Sequence, residues 1–278
     1  MTGRPTEARA VCNALWIGRA LGPLERACLS SFREMGHPVR LHAYDEVTGV
    51  PEGVEVADAS AVLPREAIVR HRRTGSVSLF SNRFRYEVLR AGAGLWIDCD
   101  VLCLRPLPEA AFLFGRQDEA TINGAVLRIP HGHPVLLDLL DIFEDPRWVP
   151  PWAPLHRRLR YALRHRVQRG FGLADMSWGT TGPRALTHHL ARHGLSGRAL
   201  PVDAFYPVAF HETHLLAAAD ASAVRARLTD GTLCVHLWNQ RLERQGTRGE
   251  KGSFLAAVAD GSWRRVLDSD RLEGAGVP

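Results

Sequence analysis

The chain has 278 residues, of which 45% are hydrophobic and 23% charged, which is ordinary for a globular protein and excludes a disordered chain. No run approaches about 18 uninterrupted apolar residues, so the sequence predicts no transmembrane helix. The polar N-terminus, MTGRPTEARA, lacks the apolar core of a signal peptide, and no two of the five cysteines form a Cys-x-x-Cys pair. These features predict a cytoplasmic protein with reduced thiols.

The net charge of +5 is carried almost entirely by arginine, because Lys251 is the only lysine. This preference is typical of GC-rich genomes and suggests a bacterial source. It is also typical of proteins that meet phosphate groups, since the guanidinium group matches the geometry of phosphate. Net charge alone does not separate nucleic acid, a membrane surface and a nucleotide as the partner.

The first 45 residues predict the start of an α/β domain with a parallel sheet. Val11–Ile17 is a short apolar run that ends at Gly18, and it predicts a buried strand. Pro23–Met35 predicts a helix, with proline in the first turn and Gly36 at the end. Val39–Tyr44 predicts the second strand, and this order of elements is typical of a βαβ unit.

A second helix and a short strand lead into a pair of acids. Leu79–Ala93 predicts a helix, because Phe80, Phe84 and Val88 recur every four residues. Leu95–Ile97 predicts a buried strand that is followed directly by Asp-Cys-Asp, after which Val-Leu-Cys-Leu resumes the apolar pattern. The remaining predictions are strands over Thr121–Ile129 and Leu233–Leu237 and helices over Val135–Phe143, His156–Arg169 and Gly182–Arg192.

Asp98 and Asp100 are the central candidates for chemistry. Open α/β folds bind ligands outside the carboxyl ends of their strands, which is where this pair lies. Side chains alternate along a strand, so the two carboxylates point the same way if extended geometry persists. Two like charges repel unless a cation joins them, and Mg²⁺ or Mn²⁺ is held by such acids together with substrate phosphates. The pair predicts a divalent metal site, with two solvated loop acids as the alternative.

The same pattern also resembles the first motif of haloacid-dehalogenase-type phosphatases. In that interpretation Asp98 is a phosphoryl nucleophile and Asp100 a general acid. That family has a downstream lysine followed by paired acids, whereas Lys251 is followed by the single acid Asp260. Its motif usually opens the domain, whereas about 90 residues come first here. The phosphatase stays open as a second interpretation.

A wider set of motifs resembles the Asp-x-Asp "sugar-binding region" glycosyltransferases, glycosyltransferase family 32 and its relatives. The helix of that family commonly reads Ser-Asp-x-x-Arg-Tyr, followed by Gly-Gly-x-Tyr/Trp-x-Asp-x-Asp. This chain has SNRFRY over residues 81–86 and GAGLWIDCD over residues 92–100, with Asn82 in place of the acid. An amide bonds to sugar hydroxyls without charge, so the donor sugar stays open. Three further segments look like the family: Ala14–Gly18, Thr181–Pro183 and Val235–Asn239.

This resemblance implies a GT-A fold, a single domain over residues 1–278 with a Rossmann-like mixed central sheet flanked by helices. Residues 11–130 would bind the nucleotide sugar, and residues 131–278 would form a mostly helical acceptor region. The family implies sugar transfer from a nucleoside diphosphate sugar, with UDP favoured, to a hydroxyl of a glycan or lipid-linked acceptor. It also implies retention of configuration, Mn²⁺ or Mg²⁺ as cofactor, and a place in polysaccharide biosynthesis.

The resemblance also implies roles for individual residues. Trp16 would stack on the nucleotide base, with a plain core tryptophan as the alternative. Arg85 would reach the donor sugar or orient the acids, with a structural ion pair to Asp98 as the alternative. Asp98 would contact ribose or sugar, Asp100 would be the main metal ligand, and His236 would reach the metal from the opposite side. The predicted catalytic residues are Asp98, Asp100 and Arg85. The predicted metal ligands are Asp98, Asp100 and His236. The residues predicted to bind the nucleotide sugar are Trp16, Ile17, Gly18, Ser81, Asn82, Arg85, Asp98, Cys99, Trp238 and Asn239.

The segment 148–169 combines two tryptophans with a basic helix, His156–Arg169, that has no acid. It predicts peripheral contact with an anionic membrane, at the inner face, where a lipid-linked acceptor would be reached. A solvated helix that lies on the domain is the alternative. Nucleic-acid binding is the third function class, but no helix-turn-helix, RNA-recognition or zinc motif supports it and no nucleic acid is expected. The apolar stripe of the helix consists of Leu155, Leu159, Ala162, Leu163 and Val167.

Overall fold

The structure is a computed structural model that describes residues 9–177 and 179–273. At its centre lies a six-stranded mixed sheet. The strands are β1 (Cys12–Trp16), β2 (Val39–Ala43), β3 (Glu55–Asp58), β4 (Leu95–Ile97), β5 (Val101–Cys103), β6 (Leu113–Arg116), β7 (Ile122–Arg128) and β8 (Cys234–His236). The order across the sheet is β3-β2-β1-β4-β7-β6, and β5 and β8 pair separately as an antiparallel ribbon. The first four strands across are parallel, and β7 runs antiparallel to both of its neighbours.

Helices cover both faces of this sheet. They are α1 (Pro23–Glu34), α2 (Ser78–Arg90), α3 (Pro134–Glu144), α4 (Leu155–Val167), α5 (Pro183–Arg192), α6 (Val202–Phe205), α7 (His214–Ala217), α8 (Ser222–Arg225), α9 (Asn239–Gln245), α10 (Phe254–Ala259) and α11 (Trp263–Glu273). Side chains of β4 alternate between the faces, so Leu95 and Ile97 pack with α1 and α10, whereas Trp96 packs with α2, α3 and α5. The expected α/β class, with a mixed central sheet flanked by helices, is confirmed.

The strongest local patterns predicted their elements within a few residues. Helix α2 ends at Arg90 rather than Ala93, because Gly92 takes a left-handed φ of 72° and stops the helix. Helix α4 begins one residue earlier than predicted and ends at Val167. After β7, the described residues are mostly helical, with β8 as the one strand, as expected. Within the described ranges, no helix has both the length and the apolar composition needed to cross a bilayer.

Gly94 sets the approach of β4 to β1. Its φ is 120°, and a Cβ there would collide with the carbonyl oxygen of Val11, so only glycine fits this turn. The buried side chain of Asn13 then ties the two strands together, because its Nδ2 donates to the Ala93 oxygen at 2.8 Å and to the Leu95 oxygen at 3.3 Å. This close pairing fixes the position at which β4 ends and the two acids begin.

His42 extends this buried polar contact to β2 and makes the stability of the fold depend on pH. Its Nε2 lies 3.0 Å from Asn13 Oδ1, and the side chain is 5% exposed. Burial, together with the charge of Arg40, lowers the pKa of His42 from 6.5 to about 4. His42 is therefore protonated below about pH 6.5 in the unfolded chain but only below about pH 4 in the folded chain. The free energy of unfolding consequently falls as the pH drops through this range.

We expect His42 alone to remove about 2 kcal/mol of the free energy of unfolding between pH 7 and pH 5. His42→Gln should retain a donor for Asn13 and abolish most of this loss, as measured by urea unfolding at both pH values. His156→Gln, an exposed histidine on α4, is the matched control and should lose as much as the parent. An H42Q variant with the same pH dependence as the parent would contradict the assignment.

Candidate active site

A cavity of about 530 Å³ opens at the carboxyl ends of β1 and β4, beside α2 and α9. Of the residues predicted to form the site, all but Gly18 line it. A Cβ at Gly18 would lie 3.1 Å from Trp16 Nε1, so Gly18 instead provides the space in which the Trp16 ring sits. The predicted residues on the wall are Trp16, Ile17, Ser81, Asn82, Arg85, Asp98, Cys99, Asp100, His236, Trp238 and Asn239.

Three possible metal ligands meet in this cavity. One ligand atom each from Asp98, Asp100 and His236 lies within 4.8 Å of the other two. The acids follow β4 directly, and β5 begins immediately after them. Because Val101 at the start of β5 pairs with His236 at the end of β8, the antiparallel ribbon carries the imidazole to the acids. The imidazole Nε2 lies 3.4 Å from Asp100 Oδ1.

Asp100 is held in its ionised form. Burial tends to raise its pKa, but the charge and hydrogen bond of His236 outweigh burial and lower the pKa overall. The backbone N–H of Asn239 adds to this effect by donating to Oδ2 at 3.0 Å. An acid held in this way keeps the negative charge that a divalent cation requires.

Asp98 is oriented by α2 and by its own strand. Arg85 NH2 donates to Oδ1 at 2.9 Å, and Trp96 Nε1 donates to the same oxygen at 2.7 Å. Arg85 NH1 donates to the Gly124 carbonyl at 2.7 Å, and the guanidinium lies 5.2 Å from the centroid of the Trp96 ring. Among the described residues both donors to Asp98 use Oδ1, so Oδ2 stays available to a ligand. The pair between Arg85 and Asp98 fits both the orienting role and the structural ion pair that the sequence analysis left open.

Trp16 lies at the end of β1 with a half-buried ring on the cavity wall. Its Nε1 is buried and has no hydrogen-bond partner within the part of the chain that the structure describes. This nitrogen is closed to solvent and lies beside Gly18, where a Cβ would be 3.1 Å away. The ring lines the cavity, but the unpaired nitrogen does not separate a binding role from a plain core tryptophan.

Trp238 links His236 to α9. Its backbone is left-handed, with φ 59°, which is uncommon for a bulky residue and is found where a site is held under strain. The ring packs edge-on against His236 with 4.0 Å between centroids, and Nε1 donates to the Val208 oxygen at 2.9 Å. The left-handed turn starts α9, so that the N–H of Asn239 meets Asp100.

Asn82 and the predicted Thr181–Pro183 segment also come together. Asn82 Nδ2 donates to Thr181 Oγ1 at 3.2 Å, and a Cβ at Gly182 would lie 2.9 Å from the same amide nitrogen. Pro183 reaches the cavity wall beside Ser81. The helix motif and the mid-chain motif, 99 residues apart, therefore form one side of the cavity.

Glu25 is a cavity residue that the sequence analysis missed. It is 9% exposed in the first turn of α1, and its Oε1 accepts from Asn239 Nδ2 at 2.6 Å. Burial raises the pKa of Glu25, the hydrogen bond from Asn239 opposes this, and the charge of Asp100 adds to the rise. An acid in the first turn of a helix is ordinary helix chemistry, so the sequence contained no signal that Glu25 faces the site.

This geometry does not support the two alternatives to a metal-binding acid pair, which were a pair of solvated loop acids and a phosphatase nucleophile with its general acid. The side chains of Asp98 and Asp100 are 25% and 19% exposed, so they are not freely solvated loop acids. Lys251, the lysine that the phosphatase interpretation requires, is exposed and lies outside the cavity wall.

No protein-family profile matches the chain. Two curated relatives are lactosylceramide 4-alpha-galactosyltransferases, from Pongo pygmaeus and from Gorilla gorilla gorilla. Each is 24% identical over 177 residues, which cover 63% of this chain and 72% and 48% of the respective relative. The chain thus spans about half the length of the gorilla protein. Among solved structures, the PaToxG glycosyltransferase matches with a TM-score of 0.42 and 9% identity over 94% of this chain and 86% of that one.

Both curated relatives transfer a sugar, as their names state. This confirms the expectation that the chain is an enzyme and that its reaction class is glycosyl transfer.

Proposed function

We propose that the enzyme uses a divalent cation to move a sugar from a nucleoside diphosphate sugar, with UDP as the favoured nucleotide, to an acceptor hydroxyl. The observation that carries this proposal is the meeting of Asp98, Asp100 and His236 in one cavity wall with Trp16 and Arg85. The acceptor belongs to a glycan or a glycan-bearing lipid, in line with the lactosylceramide in the names of the relatives. A cytoplasmic location and a bacterial source remain predictions from the sequence.

The donor set fits the proposed cation. Two carboxylates and one imidazole leave further coordination positions for phosphate oxygens and water, as Mg²⁺ and Mn²⁺ require. The imidazole favours Mn²⁺, because Mg²⁺ prefers oxygen donors. When bound, the ion would act as a Lewis acid that stabilises charge on the departing diphosphate.

Residues of the cavity wall would bind the donor and hold it in position. Trp16 would stack on the base through the ring that lines the cavity. Arg85 would hold Asp98 through Oδ1, which leaves Oδ2 for the metal or the ribose. Ser81 and Asn82 would bond to sugar hydroxyls on the α2 side of the cavity, and Cys99 would line the floor.

Retention of configuration is part of the proposal. The relatives form an alpha linkage by name, and the common UDP-hexose donors are themselves alpha-linked. An alpha product made from an alpha donor corresponds to retention. The stereochemistry is checked by NMR of the anomeric proton in the first product formed.

The donor and metal are tested by a thermal-unfolding panel of UDP-, GDP- and CMP-sugars with and without Mn²⁺. We expect UDP-sugars to stabilise the enzyme only with the metal, by about 2.7 kcal/mol at a hundredfold excess over the dissociation constant. Asp141→Asn, an exposed acid on α3, is a matched control that should keep this effect. Equal stabilisation without metal, or none by any nucleotide sugar, would contradict the proposal, and phosphate release from simple phosphomonoesters would favour the phosphatase.

A further inference from the structure

Helix α4 presents its apolar side to the solvent. Leu155, Leu159, Leu163 and Val167 recur every four residues, and they are 68%, 63%, 59% and 71% exposed. Scattered apolar side chains on a surface are normal, but four in a row along one helix form a patch that marks an interaction site. We call this row the α4 stripe.

The helix is attached to the protein by the opposite side. Tyr161 is 6% exposed and packs on Phe171, with 5.9 Å between ring centroids. Tyr161 lies two residues from both Leu159 and Leu163, and two residues turn a helix by about 200°, so these leucines point away from the body of the protein. The helix therefore lies on the domain through Tyr161 and leaves its apolar stripe in solvent.

The surroundings of the α4 stripe are strongly basic. Residues 146–174 contain no Asp or Glu. Arg158 and Arg160 are exposed beside the stripe, and Arg166 is exposed within its last turn. The seven arginines of this region are Arg147, Arg157, Arg158, Arg160, Arg164, Arg166 and Arg169.

We propose that α4 docks on the surface of an anionic lipid bilayer, with the stripe inserted among the acyl chains and the arginines on the headgroups. An amphipathic helix with a basic polar face and leucines on the other side is suited to this interface. A second copy of the chain fits poorly, because a two-fold contact would bring seven arginines of each copy together with no acid between them. Nucleic acid would pair with the arginines but leave the leucines in water.

The docking helix is joined to the wall of the cavity. Tyr161 Oη lies 3.3 Å from Ser177 Oγ, and the same segment continues to Gly179 and Pro183, which line the cavity. If the acceptor of the proposed transfer is lipid-linked, docking of α4 would hold the enzyme on the surface that carries this acceptor. This consequence rests on the proposed function, whereas the membrane binding itself does not.

Flotation of the purified enzyme with vesicles tests the proposal without any activity assay. We expect binding to vesicles of phosphatidylglycerol and phosphatidylcholine in equal parts, and little binding to phosphatidylcholine alone. Leu159→Ser with Leu163→Ser should lower the partition coefficient about tenfold or more, because two exposed leucines leave the acyl region. Arg160→Gln and Arg166→Gln should each lower it about fivefold on the anionic vesicles.

The matched control is Val56→Ser with Leu137→Ser, which removes two exposed apolar side chains outside α4, 50% and 52% exposed. This control should float like the parent, and circular dichroism should show the same fold in every variant. The proposal is overturned if the parent binds neither vesicle, or if L159S/L163S binds as well as the parent. Sedimentation that shows a dimer broken by L159S/L163S, without lipid binding, would assign the stripe to a second copy instead.

Discussion

Asp100→Asn is expected to reduce turnover by at least about 10²–10³-fold, the scale for loss of one key electrostatic stabiliser. Asp100 is the acid that meets both His236 and the N–H of Asn239. An amide of the same shape can still accept from Asn239, so the local fold is retained. It carries no charge, so it binds a hard divalent cation poorly.

The comparison that isolates this effect uses Asp141→Asn, which removes an equal charge from an exposed position on α3 and should keep full activity. Sugar transfer and UDP release are measured over a range of Mn²⁺ concentrations, with circular dichroism as the check on folding. We expect D100N to need far more Mn²⁺ or to show no recovery. Full turnover of D100N at ordinary Mn²⁺ would remove Asp100 from the metal site.

The sequence predicted those parts of the site that depend on local pattern. The sequence predicts Asp98 and Asp100 at the end of a buried strand, because the three residues before them form a short apolar run that is typical of such a strand. The repeating apolar face predicted helix α2, whereas the family resemblance indicated that Arg85 meets the acids. The strand end and the helix needed only the period of the side chains.

The remaining parts of the site depend on pairing across long distances. The apolar residues after Asp100 were expected to continue the pattern of β4, but they form β5, which leaves the main sheet to pair with β8. This change of partner brings His236 to the acids, and periodicity contains no information about it. Family resemblance alone indicated His236. Helix α9 is short and polar, and it was missed together with the contact between Asn239 and Glu25.

Strands β3 and β6 were not predicted, because neither segment has the sequence pattern of a strand. Strand β3 is an edge strand, EVAD, with mostly exposed side chains, so it lacks the apolar alternation that predicts a strand. Strand β6 has four residues and an irregular register with β7 around Gly115, so its pattern is too short and too disturbed to detect. Tertiary pairing, rather than local preference, makes both of them strands.

Arg85→Met is expected to lower the free energy of unfolding by about 3 kcal/mol, near the lower end for breaking a buried ion pair. The substitution leaves Asp98 with one donor, Trp96, and leaves the Gly124 carbonyl without its guanidinium partner. The side chain of Asp98 is 25% exposed, so water offsets part of the loss. Urea unfolding without metal measures the effect.

Arg83→Met is the matched control, since Arg83 lies on the same helix and pairs with Glu144 at 2.7 Å. That pair is exposed, with 66% of the Glu144 side chain accessible, so its loss should cost less than about 1 kcal/mol. Combining Arg85→Met with Asp98→Asn should cost less than the sum of the two single changes, because the double variant no longer buries an unpaired charge.

Mn²⁺ distinguishes a metal ligand from a purely structural ion pair at Asp98. If Asp98 binds the cation, Mn²⁺ replaces the missing positive charge, so it should raise the unfolding midpoint of R85M more than that of the parent. If Asp98 serves only to pair with Arg85, Mn²⁺ should shift both midpoints equally. The second result would reduce the site to Asp100 and His236, and a metal-dependent transfer would then lack its third protein ligand.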